Sequence, residues 1–360
     1  MTIFLFFAGL ILLIAGAELL VRGASEIALF AGLSKLVIGL TVVAYGTSFP
    51  ELVVCSVASY AGEPDIAVGN VVGSNIFNIL CVIGISAAIL PLYVSRQIIR
   101  LDVPVMVAVS VIMFLFSLDG VISRLEGVFL TVLGFIYTWW LVSSGKKESA
   151  AQNSEENHVE VQHDKKWKRL VFNIFLVIAG LVLLAFGSRW LVDGAVYIAR
   201  ALQVSELVIA LVIVAAGTSL PELATSVVAA LRQERDIAVG NIVGSNIFNI
   251  IFVLGASGII ASEPIKVSPA ALKFDIPVML AVSIACIPVF FSGERIARWE
   301  GFVFIGYYVF YTVYLVLTAR EHYAVPLLNE IMLSFIVPLT VLTILITLLH
   351  SVRKREKIKK

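Results

Sequence analysis

The chain of 360 residues is 60% hydrophobic and only 14% charged, with a mean hydropathy of +1.01 and a formal net charge of +1. A water-soluble domain carries about a quarter charged residues, so this composition excludes one. A charge so close to zero offers no footprint for nucleic acid, and none is expected as a partner.

Apolar runs long enough to cross a bilayer begin at the first residues. The first, 3–21, lacks a basic leader and a small-residue cleavage site, so it reads as a retained helix rather than a signal peptide. Further runs cover 36–60, 66–90, 103–118 and 127–143. After the polar stretch 144–169 come runs at 170–192, 207–231, 237–261, 276–292 and 302–317, and an eleventh at 325–350. No water-soluble fold accommodates eleven such runs, and the expected class is an all-α polytopic membrane protein. Cys55, Cys81 and Cys286 all lie inside runs with no CxxC pair, so they read as small buried hydrophobes. The polar stretch holds His158, His163 and several acids without EF-hand spacing, and reads as a cytoplasmic linker. The tail 351–360 is basic and suits contact with anionic lipid. Most Lys and Arg residues fall on the side of that linker and tail, predicting an outside N-terminus and a cytoplasmic C-terminus in a plasma (inner) membrane.

An internal repeat organises the series. Residues 46–79 read GTSFPELVVCSVASYAGEPDIAVGNVVGSNIFNI, and residues 217–250 read GTSLPELATSVVAALRQERDIAVGNIVGSNIFNI. They align without gaps at an offset of 171 residues, with 23 of 34 positions identical. Weaker matches pair Gly16 and Gly23 with Gly187 and Gly194, and Asp102, Pro104 and Met106 with Asp275, Pro277 and Met279. Each half, 1–143 and 170–318, thus holds five helices, with 325–350 as an appendage. Five is odd, so the second half enters the membrane from the opposite face and the repeats are inverted. Transporters build a midplane site in this way, and one chain supplies both halves of it, so a monomer suffices.

The chemistry sits in the repeats. Gly46, Thr47, Ser48, Pro50 and Glu51 interrupt one run, as Gly217, Thr218, Ser219, Pro221 and Glu222 interrupt another. Proline cannot donate its amide, so each helix should break and free backbone carbonyls, such as those of Ala44 and Ala215. A carboxylate at the bilayer centre costs roughly 2.5–3.5 kcal/mol. Glu51 and Glu222 have no basic neighbour in the repeats, and their natural partner is a cation. Thr47 and Glu51, and Ser74 and Asn78, are four apart and share helical stripes; Thr218, Glu222, Ser245 and Asn249 repeat this. Gly69 and Gly73, like Gly240 and Gly244, form GxxxG patterns suited to close helix packing. Asn70, Asn75, Asn241 and Asn246 read as interhelical hydrogen bonders, and Asp65 and Asp236 as helix caps. Oxygen donors without His or Cys select hard cations, and a flexible cage favours Ca2+ over Mg2+.

At these residues the chain resembles the sodium/calcium exchanger family of the cation/calcium antiporter superfamily: GTSFPE and GTSLPE, each followed by GSNIFN, look like its two alpha-repeats. The resemblance implies a ten-helix core and an electrogenic, alternating-access antiporter with no cofactor, exchanging Ca2+ against several Na+. It implies Glu51 and Glu222 as shared ligands, Thr47, Ser48, Thr218, Ser219, Ser74 and Ser245 as further oxygens, and Asn78 and Asn249 at the centre. The linker is too short for the regulatory calcium-binding domains of animal exchangers. Proton-coupled relatives carry a GNxxE-type motif where this chain has GTSxPE, and potassium-dependent relatives an Asp at Asn249. Proton-coupled or potassium-dependent exchange is therefore the alternative, with a passive channel or a membrane enzyme behind it.

Overall fold

The structure is a computed structural model that describes residues 2–152 and 163–320 except 64, 292 and 293; the expected eleventh helix and basic tail lie outside the described residues. Each half holds five helical segments. The first half contains α1 (Thr2–Ala31), α2 (Lys35–Thr47 and Phe49–Tyr60), α3 (Ile66–Ile89), α4 (Ile98–Phe116) and α5 (Arg124–Gln152). The second contains α6 (His163–Ala201), α7 (206–217 and Leu220–Leu231), α8 (Arg235–Ile260), α9 (Ala271–Phe291) and α10 (Arg298–Ala319). Eight are continuous apolar helices long enough to cross a bilayer, while α2 bends by 44° at its break. The helices of α5 and α6 run on into the polar linker, to Gln152 and from His163.

Inversion is visible in how equivalent elements meet. α1 and α6 are repeat partners and pack antiparallel: Gly9 faces Leu191, Gly16 faces Leu184 and Gly23 faces Val177. The heptad glycines of α1 (Gly9, Gly16, Gly23) match those of α6 (Gly180, Gly187, Gly194) at the same offset of 171. A Cβ at Gly16 would stand 2.8 Å from the Gly180 carbonyl oxygen, and one at Gly180 2.7 Å from the Gly16 carbonyl oxygen. Only glycine lets the two backbones approach so closely.

Short antiparallel strands close both ends of the bundle. β1 (Leu92–Tyr93) pairs with β4 (Arg295–Ile296), and β2 (Val121–Ile122) pairs with β3 (Ile265–Lys266). Each strand precedes a repeat-related helix, so one pair is the image of the other on the opposite face. The centre belongs to α3 and α8, with 78% and 94% of their apolar windows buried against 11% for α10. A helix shielded from lipid can carry polar side chains, and these two hold the GSNIFN motifs.

Candidate cation site

Both broken helices fail where the proline forces it. In α2 the first arm ends at Thr47, and the second starts at Phe49 with Pro50 in its opening turn. In α7, Thr218 and Ser219 separate the arms, and Pro221 opens the second. Glu51 and Glu222 therefore sit in the first turn of a half-helix, where the exposed amides and the dipole favour negative charge. The bend lies between Thr47 and Glu51, so the two are on different arms and not on one continuous helical stripe. Ala44 is less free than its position suggests, since its carbonyl oxygen still accepts the Ser48 amide at 3.0 Å. In the second repeat the Ser219 amide turns to Ala216 instead, at 3.2 Å.

Cross-packing brings the repeats together. The arm bearing Glu51 packs against Asn249–Leu254, and the arm bearing Glu222 against Asn78–Val82. Both segments are π-helical, a local widening common at functional sites. Ser48 Oγ donates to Glu222 Oε1 at 2.8 Å, Thr47 Oγ1 to the Ala44 carbonyl at 3.3 Å, and Ser245 Oγ to the same carbonyl at 3.5 Å. Ten of the twelve expected oxygen donors are buried; Thr218 is half-buried and Ala215 exposed.

The four further asparagines stitch the centre together. Asn75 Nδ2 donates to the Asn246 carbonyl at 3.2 Å, and Asn249 Nδ2 to Asn75 Oδ1 at 3.1 Å. Asn241 accepts from Thr47 and Asn70 from Thr218, whereas the Asn246 side chain bonds Ile242 within its own helix. The capping expectation does not hold for Asp236. Glu234 occupies the N-cap of α8 without a side-chain bond, and Asp236 lies inside the first turn.

Several expected donors lack hydrogen-bond partners among the described residues, as do other buried polar atoms such as Ser86 Oγ and Thr225 Oγ1. Both Glu51 oxygens, Glu222 Oε2, Ser74 Oγ, Ser219 Oγ, Asn78 Oδ1 and Asn249 Oδ1 are buried without a hydrogen-bond partner. Buried polar groups of this kind are costly unless something else satisfies them. None of the ion pairs among the described residues involves Glu51 or Glu222. No cluster of three His, Cys, Asp or Glu side chains occurs among the described residues, so the donor set is two carboxylates with neutral oxygens. That set suits a hard cation.

The two repeats are not equally packed. Cβ atoms at Gly69 and Gly73 of α3 would meet nothing within 4 Å. At their equivalents on α8 the neighbours are the backbone of α2: Leu36 O at 3.1 Å from Gly240, Leu40 O at 2.7 Å from Gly244. The expected GxxxG packing thus holds for α8, while in α3 the same glycines border a cavity of about 220 Å³ that reaches Ala215. The cavity also touches the start of α9, which follows β3, so it lies on the β2–β3 side. Tyr45 and Phe248 pack as a tilted pair with centroids 4.5 Å apart, and on the β1–β4 side Lys35 bonds Glu234 at 2.8 Å across the repeats. The α3 glycines thus face a cavity while those of α8 are packed against α2, and a surface cavity of about 610 Å³ lined by Lys35, Tyr93, Glu234 and Glu294 lies outside that packing on the β1–β4 side.

Comparison with known proteins places this architecture. The profile of the family described as "Sodium/calcium exchanger protein" matches residues 1–143 and 172–317. The chain is 41% identical over 306 residues to "Putative antiporter CaxA" of Alkalimonas amylolytica, covering 83% of this chain and 95% of that one. It is 32% identical over 338 residues to "Sodium/calcium exchanger MaX1" of Methanosarcina acetivorans, covering 85% and 96%. A solved structure of the sodium-calcium exchanger NCX_Mj, soaked with 10 mM Na+ and zero Ca2+, superposes with a TM-score of 0.73 at 34% identity, covering 86% of this chain and 97% of that one.

Proposed function

The chain belongs to the sodium/calcium exchanger protein family, and from that premise we propose that it is an electrogenic antiporter exchanging Ca2+ against several Na+ at a midplane site built from both repeats. The observation that carries this reading is the pair Glu51 and Glu222, each wholly buried, each from a different repeat, and together leaving three carboxylate oxygens without a donor. Two carboxylates neutralise one Ca2+, and the surrounding hydroxyl, amide and carbonyl oxygens complete its coordination. The same oxygens, divided among more ions, serve Na+. In this assignment Thr47, Ser48, Ser74, Thr218, Ser219 and Ser245 are the hydroxyl donors, Asn78 and Asn249 the central amides, and Ala44 and Ala215 the carbonyl donors.

Exchange follows from the unequal packing of equal parts. A cation reaches the carboxylates from the side where Gly69 and Gly73 border open space. To leave on the other side, α2 must part from Gly240 and Gly244 while α7 closes on Gly69 and Gly73. The glutamates are shared by both states. Na+ and Ca2+ compete for the same oxygens, so movement of one cargo depends on return of the other. We place the N-terminus outside, the linker and basic tail in the cytoplasm, and the chain in a plasma membrane, on the bias of its Lys and Arg residues.

Uptake of 45Ca2+ into sealed proteoliposomes, driven in turn by outward Na+, K+ and H+ gradients, tests the reading. Na+ alone should drive uptake. A proton gradient that drives it without Na+ would assign the chain to proton-coupled exchange instead.

A further inference from the structure

Two carboxylates outside the central site, Asp102 buried and Asp275 half-buried, repeat the symmetry of the glutamates. Asp102 ends the π-helical segment Ile98–Asp102 of α4, and Asp275 ends the equivalent segment Ala271–Asp275 of α9. Each accepts a hydrogen bond from a tyrosine of the last helix of its own half: Tyr137 Oη donates to Asp102 Oδ1 at 3.0 Å, and Tyr311 Oη to Asp275 Oδ1 at 2.9 Å. Neither has an ion-pair partner among the described residues. Asp102 is fully buried, the Gln97 side chain lies close to its carboxyl, and its Oδ2 has no partner within hydrogen-bond distance among the described residues.

A structural role does not account for them. Each tyrosine supplies one hydrogen bond to a charged group, whereas an aspartate inside an apolar span carries a desolvation cost that one bond offsets only in part. Asparagine would accept the same tyrosine bond without that cost. The charge itself is what both halves retain, and π-helical widening again marks the place.

Their surroundings differ as the two routes do. Asp275 and Tyr311 line the open cavity, together with Gly69, Gly73 and Ala215. The cavity therefore joins the Asp275 carboxylate to a proposed carbonyl donor of the central site. At about 220 Å³ it has room for a hydrated cation, since each water occupies about 30 Å³. A fixed negative charge in a low-dielectric cleft concentrates cations there. Asp102 holds the equivalent position on the packed route.

We propose that Asp275 and Asp102 are entry stations: each binds a hard, partly hydrated cation, Ca2+ or Na+, on the route from one face of the membrane and passes it to Glu51 and Glu222. Asp275 serves the β2–β3 face and Asp102 the β1–β4 face. Tyr311 and Tyr137 are positioning residues that hold one carboxylate oxygen and leave the other for the ion. The proposal rests on the central-site reading, which fails separately if Glu51→Gln transports at the wild-type rate.

Membrane vesicles of known sidedness test it. Asp275→Asn should raise the Ca2+ concentration for half-maximal transport several-fold from the β2–β3 face only, at unchanged maximal rate. Asp102→Asn should do so from the opposite face only. No change from either face, equal change from both, or a loss of maximal rate alone would overturn the proposal. A second measurement does not depend on transport. In the purified full chain carrying Glu51→Gln and Glu222→Gln, Tb3+ luminescence sensitised by tyrosine should persist and fall by at least half on adding Asp275→Asn. Emission unaffected by Asp275→Asn would refute the station.

Discussion

Ser48, on the break of α2, donates a hydrogen bond of 2.8 Å to Glu222, on the opening turn of the broken helix in the other repeat. This bond joins the halves at the carboxylate itself, and its mirror partners, Ser219 and Glu51, have no such bond. Hydrogen bonds to charged groups contribute about 1.5–3 kcal/mol. Ser48→Ala should therefore weaken Ca2+ binding about tenfold without abolishing exchange, read as the half-maximal Ca2+ concentration in flux assays. Unchanged affinity would remove Ser48 from the site.

Unequal packing of equivalent glycines gives a second prediction. On a cysteine-free background, Gly73→Cys should react with an impermeant thiol reagent from the β2–β3 face, and Gly244→Cys should be protected. Gly244→Ala places a Cβ 2.7 Å from the Leu40 carbonyl oxygen, a backbone atom that cannot swing aside. It should destabilise the packed route and increase labelling from the β1–β4 face. Equal labelling of Gly73→Cys and Gly244→Cys would mean that the two routes are open together.

The α1–α6 seam predicts a stability difference. Gly16→Val inserts a branched side chain where the opposite backbone is within 3 Å, and overpacking of this sort costs about 1–3 kcal/mol. Gly306→Val on α10, with nothing near its Cβ, serves as the control. Thermal unfolding in detergent should shift by several degrees for the first and hardly at all for the second.

Hydropathy alone made eight long spans and the bent α2 legible, because a bilayer demands long apolar helices, while the second arm of α7 is a shorter apolar helix. The 171-residue offset between halves revealed the inversion, and the paired GTSxPE motifs led to Glu51 and Glu222. The heptad glycines of α1 and α6 carry no sequence signal as a set. Their spacing of seven is not the GxxxG pattern, and close backbone approach leaves no polar signature. Gly69 and Gly73 read the same as Gly240 and Gly244 in sequence, because near-identical segments occupy different surroundings in the two halves. The strand pairs and π-helical segments arise from tertiary closure and had no local pattern to read. The packing around Asp236 likewise follows from where Glu234 is drawn by Lys35.

Charge accounting yields a prediction about voltage. Glu51 and Glu222 together balance one Ca2+, whereas about three Na+ exceed them by one charge, worth about 2.3 kcal/mol per 100 mV. Exchange should accelerate or slow with clamped membrane potential, and should run without K+. Asn249→Asp would add a third carboxylate and replace the amide that donates to Asn75. It should slow exchange or make it sensitive to pH or K+. Voltage-independent flux, or a wild-type requirement for K+, would refute this charge balance.

The two glutamates carry the whole account, and one comparison addresses them directly. Na+-driven 45Ca2+ uptake should be measured in proteoliposomes of the wild type, Glu51→Gln and Glu222→Gln, each shown to be folded by its thermal transition. One missing carboxylate leaves a divalent ion half-neutralised in a medium of low dielectric, where the imbalance is expensive. The account predicts robust uptake by the wild type and loss of uptake in both variants. Wild-type rates in a folded Glu51→Gln protein would contradict it.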